Sequence, residues 1–408
     1  MVRAVALAFV LATPSMALSY PPFTIPAFNL NTLDTASTQH LVKSLETHGI
    51  VAFQGIPNVS SVRRMLLSSA AACAASHPEL SQLKTLQDGT MRQTFTTDKA
   101  GLGVDVVDQC PEYAQAHAMY TKVMDSTLAQ FGRVLDGATT ISNHTIDSLE
   151  VIAASGNHLV HTHLYSNATT PPTNPTADEW SFQIHTDRGV GLLSTAPLFF
   201  DVMDGHEVPN PDVDVGLLLE LDGHLVRPDL KDDELFFMAG QGFGDWLDTS
   251  VHAPAVLHGM IMPRNAPTNV VRAWVGEMVL PPANHRLRSY SNMPFADLNA
   301  ATTRFLVDGG DSVPTLGCPI GRVLTASDNS CQLGLWVPGK GSSATKDACV
   351  KTCNNQHLAD KCNAMKCEQK GTASGVDCWM VCVPHLGANA CPAPGKEVCS
   401  GQDMICQK

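Results

Sequence analysis

The stretches Trp180-Ser-Phe-Gln-Ile-His-Thr-Asp187 and Pro254-Ala-Val-Leu-His-Gly-Met-Ile-Met262 decide how this 408-residue chain folds. The first alternates apolar and polar residues. The second is an apolar run interrupted by a single histidine. Both patterns predict strands rather than helices. In an extended chain, residues two apart point to the same side, so His185 and Asp187 face one way. His258 sits on the second strand, which a rolled sheet can bring opposite them.

The β signal extends outward from these stretches, from about 150 to 282. Candidate strands are Asn157–Tyr165, Ser181–His185, Val190–Ser194, Leu198–Val202, Val215–Leu221, Glu234–Met238, Ala255–Met262 and Val270–Leu280. Asp222-Gly223, Pro263-Arg-Asn-Ala-Pro267 and Pro281-Pro282 punctuate them as turns. Many short strands so separated predict a double-sheet roll or barrel. The polar, Pro/Thr-rich stretch from Thr169 to Ala177 predicts a loop. From about 23 to 140 the pattern is helical with one strand. Ser37 to His48 reads as a helix that Gly49 ends, and Ile50-Val-Ala-Phe-Gln54 as the strand. Asn58 or Ser60 caps a helix running to about Ser76. Pro111 opens another, whose Tyr120, Val123, Met124, Leu128, Phe131 and Leu135 recur at helical spacing as a core stripe.

Composition bounds the function. Hydrophobic residues make up 44% and charged residues 16%, and the formal charge is −13, with no basic patch to meet a nucleic acid. Arg3, the apolar run Ala4 to Ala12 and the small residues Ala17 and Ser19 predict a signal peptide over 1–19, too short to span a bilayer. No later stretch predicts a membrane span. Sequons at Asn58, Asn143 and Asn167 agree with a glycoprotein that is secreted or held in the secretory-pathway lumen. Eleven of the 13 cysteines lie between Cys318 and Cys406, and only Cys73 and Cys110 precede them. In an exported chain such density reads as a disulfide framework. The rival, zinc, is disfavoured because C-x2-C pairs are absent. The odd count leaves at least one thiol free or paired with another chain.

Two imidazoles and one carboxylate cover one face of an octahedral metal and leave the other face open, the pattern of non-haem Fe(II) oxygenases. His185, Asp187 and His258 are therefore candidate metal ligands. H-x-D alone is a weak signal among 16 histidines, but it occurs once here, in a β setting. His161 and His163 share one face of a strand without a nearby carboxylate, and His252 lies in a loop before His258. His206 and His224 fall in turn-like stretches.

Over about 25 to 282 the chain resembles the isopenicillin N synthase-like family of Fe(II)/2-oxoglutarate oxygenases. Leu41-Val-Lys-Ser-Leu-Glu-Thr-His-Gly-Ile-Val-Ala-Phe-Gln-Gly-Ile-Pro57 is similar to that family's helix, strand and "GIP" turn. His158-Leu-Val-His-Thr-His-Leu-Tyr165 is similar to the strand bearing its N-x-Y tyrosine, and His185-Thr-Asp-Arg-Gly189 to its H-T-D-x-G. Gly216-Leu-Leu-Leu-Glu-Leu-Asp-Gly223 resembles its hairpin, and Phe243-Gly-Asp245 followed by Val256-Leu-His258 the approach to its distal histidine. Arg272 falls where the family places an arginine for the 2-oxoglutarate carboxylate. Two departures stand out: Arg272-Ala273-Trp274 replaces R-x-S, and His163-Leu-Tyr165 replaces N-x-Y.

The resemblance implies a mainly β fold with flanking helices and a double-stranded β-helix (jelly-roll) core, to which the cysteine density adds a small disulfide-rich C-terminal module. The expected division is an oxygenase-like domain over 23–300, helical over 23–150 with its roll over 150–282, and a Cys-rich module over 310–408. It also implies Fe(II) held by His185, Asp187 and His258, 2-oxoglutarate as cosubstrate on Arg272 and Tyr165, and oxidation of a C–H bond in a small-molecule or peptide substrate. A guanidinium suits the carboxylate because it forks onto it and stays charged when buried. Arg264, in a turn, is a weaker candidate, and Arg92 is a pocket candidate without a motif behind it. The alternative is a secreted binding or adhesion protein that works through the Cys-rich module, with the oxygenase-like body as an altered scaffold.

Overall fold

The computed structural model describes residues 20–86, 88–98, 100–139, 148–167, 180–287 and 293–300, and the backbone of 369–373 and 376–379. The expected signal peptide, the sequon at Asn143, the loop expected from Thr169 to Ala177 and nearly all of the Cys-rich region lie outside the described residues.

The chain enters through β1 (Pro22–Phe23) and β2 (Ala27–Phe28), then forms α1 (Thr35–His48). Asp34 caps α1, its carboxylate accepting from the Ser37 N–H at 2.8 Å. Gly49 ends the helix at φ 68°, where a Cβ would stand 2.2 Å from the Pro254 carbonyl, so only glycine turns there. β3 (Ile50–Phe53) follows, wholly buried. α2 (Val59–Ser76) starts at Asn58, which sits at φ 61° and makes no side-chain cap bond.

β4 (Gln82–Thr85) and β5 (Met91–Thr97) form a hairpin, ahead of α3 (Val104–Gln109), α4 (Pro111–Ala138) and α5 (Leu149–Ser155). The expectation of one strand before 140 is therefore corrected. These segments are rich in Thr and Gln and lack apolar alternation. Long-range pairing holds them: β5 runs seven residue pairs alongside β6 (Leu159–Ser166).

The remaining elements are β7 (Phe182–His185), β8 (Gly191–Thr195), β9 (Leu198–Asp201), β10 (Glu207–Val208), β11 (Leu217–Leu221), β12 (His224–Pro228), β13 (Leu235–Ala239), α6 (Gln241–Trp246), β14 (Leu257–Met260) and β15 (Val270–Val279). One sheet runs β2-β3-β13-β8-β15-β6-β5-β4, and the other β1-β12-β11-β14-β7. From β6 to β15 the chain crosses between the sheets repeatedly: β6, β8, β13 and β15 belong to the first, and β7, β11, β12 and β14 to the second. That interleaving is a double-stranded β-helix, the expected roll. Asp222 (φ 53°) and Gly223 (φ 77°) make the tight turn between β11 and β12. His224, expected in a turn, instead opens β12, exposed.

Side-chain alternation splits the larger sheet. Its outer face, with Leu164, Leu193, Phe237, Ala273 and Val275, packs under α2 and α4, whose Leu66, Leu67, Tyr120, Met124, Leu128 and Phe131 complete the main core. Its inner face meets the second sheet through Ile50, Leu192, Leu219, Phe236, Met238 and Val256. A disulfide joins Cys73, near the end of α2, to Cys110, just before α4, with both residues buried.

Asn167 is held inside a turn: its amide donates to the carbonyls of Pro263 and Ala266, each at 2.9 Å. A glycan on that nitrogen would displace one of these bonds. β16 (Arg286–Leu287) and β17 (Met293–Pro294) pair with each other, as do β18 (Gln369–Ala373) and β19 (Val376–Trp379). Among the described residues no helix is long and apolar enough to cross a membrane.

Candidate metal centre

β7 and β14 are antiparallel neighbours, and His258 lies directly opposite His185. Asp187 follows the end of β7. All three are buried, at 4%, 4% and 8% exposure for His185, Asp187 and His258. Asp187 Oδ1 lies 3.6 Å from His185 Nε2, and Asp187 Oδ2 lies 3.8 Å from His258 Nε2. Each residue offers one ligand atom, and these atoms all fall within 4.8 Å of one another. Both carboxylate–imidazole gaps are shorter than two ligand–metal bonds of about 2.1 Å end to end.

Backbone carbonyls fix the rings. His185 Nδ1 donates to the Gln183 carbonyl at 2.7 Å, and His258 Nδ1 to the Val256 carbonyl at 3.1 Å. A carbonyl only accepts, so the proton is on Nδ1 and the Nε2 lone pair is turned inward, the tautomer a metal requires. Burial, then the neighbouring His185 ring, holds His258 below its ordinary pKa, so it is neutral at pH 7. Burial works to raise the Asp187 carboxyl, but the His258 and His185 rings outweigh it and the net shift is downward. Among the described residues Asp187 Oδ1 has no hydrogen-bond partner. A carboxylate and two imidazoles whose Nδ1 atoms are tied to backbone carbonyls suit a first-row divalent ion.

Arg272 and Tyr165 are cross-strand partners on β15 and β6. Arg272 is 4% exposed, and its Cζ lies 5.8 Å from the Tyr165 ring centroid. Burial lowers its pKa to about 10, which leaves it cationic at neutral pH.

Other sequence candidates fall outside the donor set. His252 and Arg264 are exposed. His206 is exposed and paired with Asp204. His161 and His163 point inward from β6 without joining the three donors. Burial pushes the pKa of His161 down to about 4, and Arg92 adds to that shift while Asp187 opposes it. His163 Nδ1 bonds Thr94 Oγ1 at 2.9 Å.

His163 also explains both departures from the family pattern. It is the cross-strand partner of Trp274, and the two rings stack 5.5 Å apart with 2° between their planes. The missing asparagine and the missing serine are thus one contact. Gly276 makes room for it, since a Cβ there would stand 2.7 Å from the Trp274 indole.

Gln241 was not legible as a site residue. Its N–H donates to the Asp187 carbonyl at 2.8 Å, its amide nitrogen to Thr186 Oγ1 at 2.7 Å, and its amide oxygen accepts from Arg188. One side chain thus grips both neighbours of Asp187, and Asp245 holds Arg188 from beyond at 3.4 Å. Gln241→Ala should leave the fold intact and weaken metal binding roughly ten- to a hundredfold, as losing a ligand's support does. Competition against a colorimetric chelator measures this.

The Cys-rich end, residues 324–408, matches a family described as "Domain of unknown function (DUF8288)". No curated protein matches the chain. Among solved structures, a candidate oxygenase from Shewanella oneidensis is 14% identical over 70% of this chain and 98% of its own, at a TM-score of 0.49. JOX2 in complex with 2OG, Fe and JA is 11% identical over 74% of this chain and 88% of its own, at 0.48. AtDAO1, a dioxygenase for auxin oxidation from Arabidopsis thaliana, is 13% identical over 63% of this chain and 93% of its own, at 0.44. At these scores the likeness is loose, and the chemistry of the site is read from this chain's own side chains.

Proposed function

We propose that this protein is a non-haem Fe(II)- and 2-oxoglutarate-dependent oxygenase that oxidises a C–H bond of a small-molecule or peptide substrate. The observation that carries the reading is the donor set: two histidines whose Nδ1 atoms bond backbone carbonyls and one carboxylate, all buried, with ligand atoms within 4.8 Å of one another. Iron(II) bound there supplies O2 activation coupled to decarboxylation, so that 2-oxoglutarate, O2 and R–H become succinate, CO2 and R–OH.

The chain's own part is holding and orienting. His185, Asp187 and His258 hold the ion from one side and leave the other side for ligands. Arg272, on the facing sheet, offers a guanidinium fork to the far carboxylate of 2-oxoglutarate, with the Tyr165 ring beneath it. The stacked His163 and Trp274 close the wall beside it. The buried Cys73–Cys110 disulfide supports placing the protein in an oxidising compartment, secreted or luminal. The separate match over 324–408 supports treating the Cys-rich end as a module of its own.

Anaerobic Fe(II) titration tests the reading. A metal-to-ligand charge-transfer band should appear only when Fe(II) and 2-oxoglutarate are both present, and succinate should form on admitting O2. No band with both present would overturn it. Arg272→Leu removes a charge-assisted bond worth about 1.5–3 kcal/mol. It should raise the 2-oxoglutarate concentration for half-maximal band intensity roughly ten- to a hundredfold, while Fe(II) binding persists. Unchanged dependence would remove Arg272 from the site.

A further inference from the structure

Arg92, Tyr165 and Arg272 form one row across three adjacent strands: Arg92 pairs with Tyr165, and Tyr165 with Arg272. Direct cross-strand partners share a face. Both guanidinium groups therefore enter the interior from the same wall, with their backbones two strand spacings, roughly 10 Å, apart. They lean on different rings. Arg272 Cζ lies 5.8 Å from the Tyr165 centroid, and Arg92 Cζ lies 5.6 Å from the Phe182 centroid. Phe182 in turn stands 5.2 Å from the His185 ring, so Arg92 flanks the donor triad.

Among the described residues neither guanidinium forms an ion pair with a carboxylate, whereas Arg63, Arg64 and Arg188 each do. Arg92 Nε is buried and has no acceptor. Asp187, the carboxylate of the donor set, is engaged by two imidazoles. Arg272 is buried and Arg92 is half-buried with its Nε shielded from water, and a wall that keeps two cations without a counter-charge suits anions. A 2-oxo acid chelated at the triad supplies one free carboxylate, which Arg272 takes. Arg92 is left.

We propose that Arg92 anchors a carboxylate of the substrate itself, so that the molecule oxidised here is an organic acid. Its carboxylate sits on the Arg92 fork above Phe182, its hydrocarbon body lies along the flat His163–Trp274 stack, and its reacting C–H faces the triad. This rests on the oxygenase reading of the donor set.

Ligand-observed NMR on the full-length protein tests it with matched probes: benzoate, phenylacetate and hexanoate, each beside its methyl ester. At least one acid should bind, and its ester should bind about tenfold more weakly or not at all. Arg92→Met should weaken acid binding roughly ten- to a hundredfold. Arg92→Lys should restore part of it. Acids and esters binding alike, no acid binding at millimolar concentration, or full acid binding in Arg92→Met would each overturn the proposal. So would Arg92→Met raising the 2-oxoglutarate constant while acid binding stays intact, since that assigns Arg92 to the cosubstrate. Arg92-dependent acid binding without an Fe(II)–2-oxoglutarate band in the wild type would refute the oxygenase reading and uphold the acid anchor.

Discussion

Asp187→Ala should abolish iron binding at micromolar Fe(II), and with it all 2-oxoglutarate turnover. Asp187 is the one anion of the donor set, and the two imidazoles facing it are buried. Removing one partner from a buried charged cluster costs about 3–5 kcal/mol, which is roughly two to four powers of ten in a binding constant. Isothermal titration under argon measures the constant, and far-UV circular dichroism checks that the roll survives. The variant should fold, because Asp187 lies beyond the end of β7 and its backbone carbonyl still accepts from Gln241. Iron affinity within tenfold of wild type would mean that the ion, if held, is held elsewhere.

The second large effect is on stability. Replacing Cys73 and Cys110 by serine should lower the free energy of unfolding by about 2–4 kcal/mol, as expected for a crosslink across a loop of intermediate length. The bridge spans 37 positions and ties the end of α2 to the start of α4, the two helices that cover the outer face of the larger sheet. Urea denaturation of the double variant should show a lower midpoint, and added reductant should bring the wild type to the same value. The donor triad lies on the other sheet, so metal affinity at low temperature should not change. An unchanged midpoint would show that the helices are held by packing alone.

Much of the roll was legible because burial writes itself into period-two alternation. All eight strands expected between 150 and 282 are present, with ends shifted by a residue or two; α1 ends at Gly49 and α4 opens at Pro111 as expected, while α2 starts after Asn58 without the expected side-chain cap. H-x-D pointed to His185 and Asp187 together, although β7 ends at His185 and Asp187 lies just past it, and the closeness of His258 comes from a ladder between residues far apart in sequence. The same reason hid β4 and β5, whose polar residues carry no periodic signal and are ordered by their partner strand. It hid Gln241 as well, since α6 is a six-residue helix containing two glycines, and its link to Asp187 is entirely long-range. His163 and Trp274 looked like two unrelated defects in a motif. Neither position alone reveals that one replacement makes space and shape for the other. Cys73 and Cys110 stood apart from the cluster at the C-terminal end, but nothing in their spacing shows that they meet.

The three donors all belong to one sheet, hung on the β7–β14 pair and its immediate continuation, while Arg272 belongs to the opposite sheet. The claw and the far clasp are therefore mounted on separate plates. Sliding or spreading one plate against the other leaves the claw's grip untouched, because its geometry is internal to one ladder. The same movement changes the reach from claw to clasp. If the proposed cosubstrate binds as argued, the roll would act as a caliper whose jaw spacing sets the length of diacid that can bridge it.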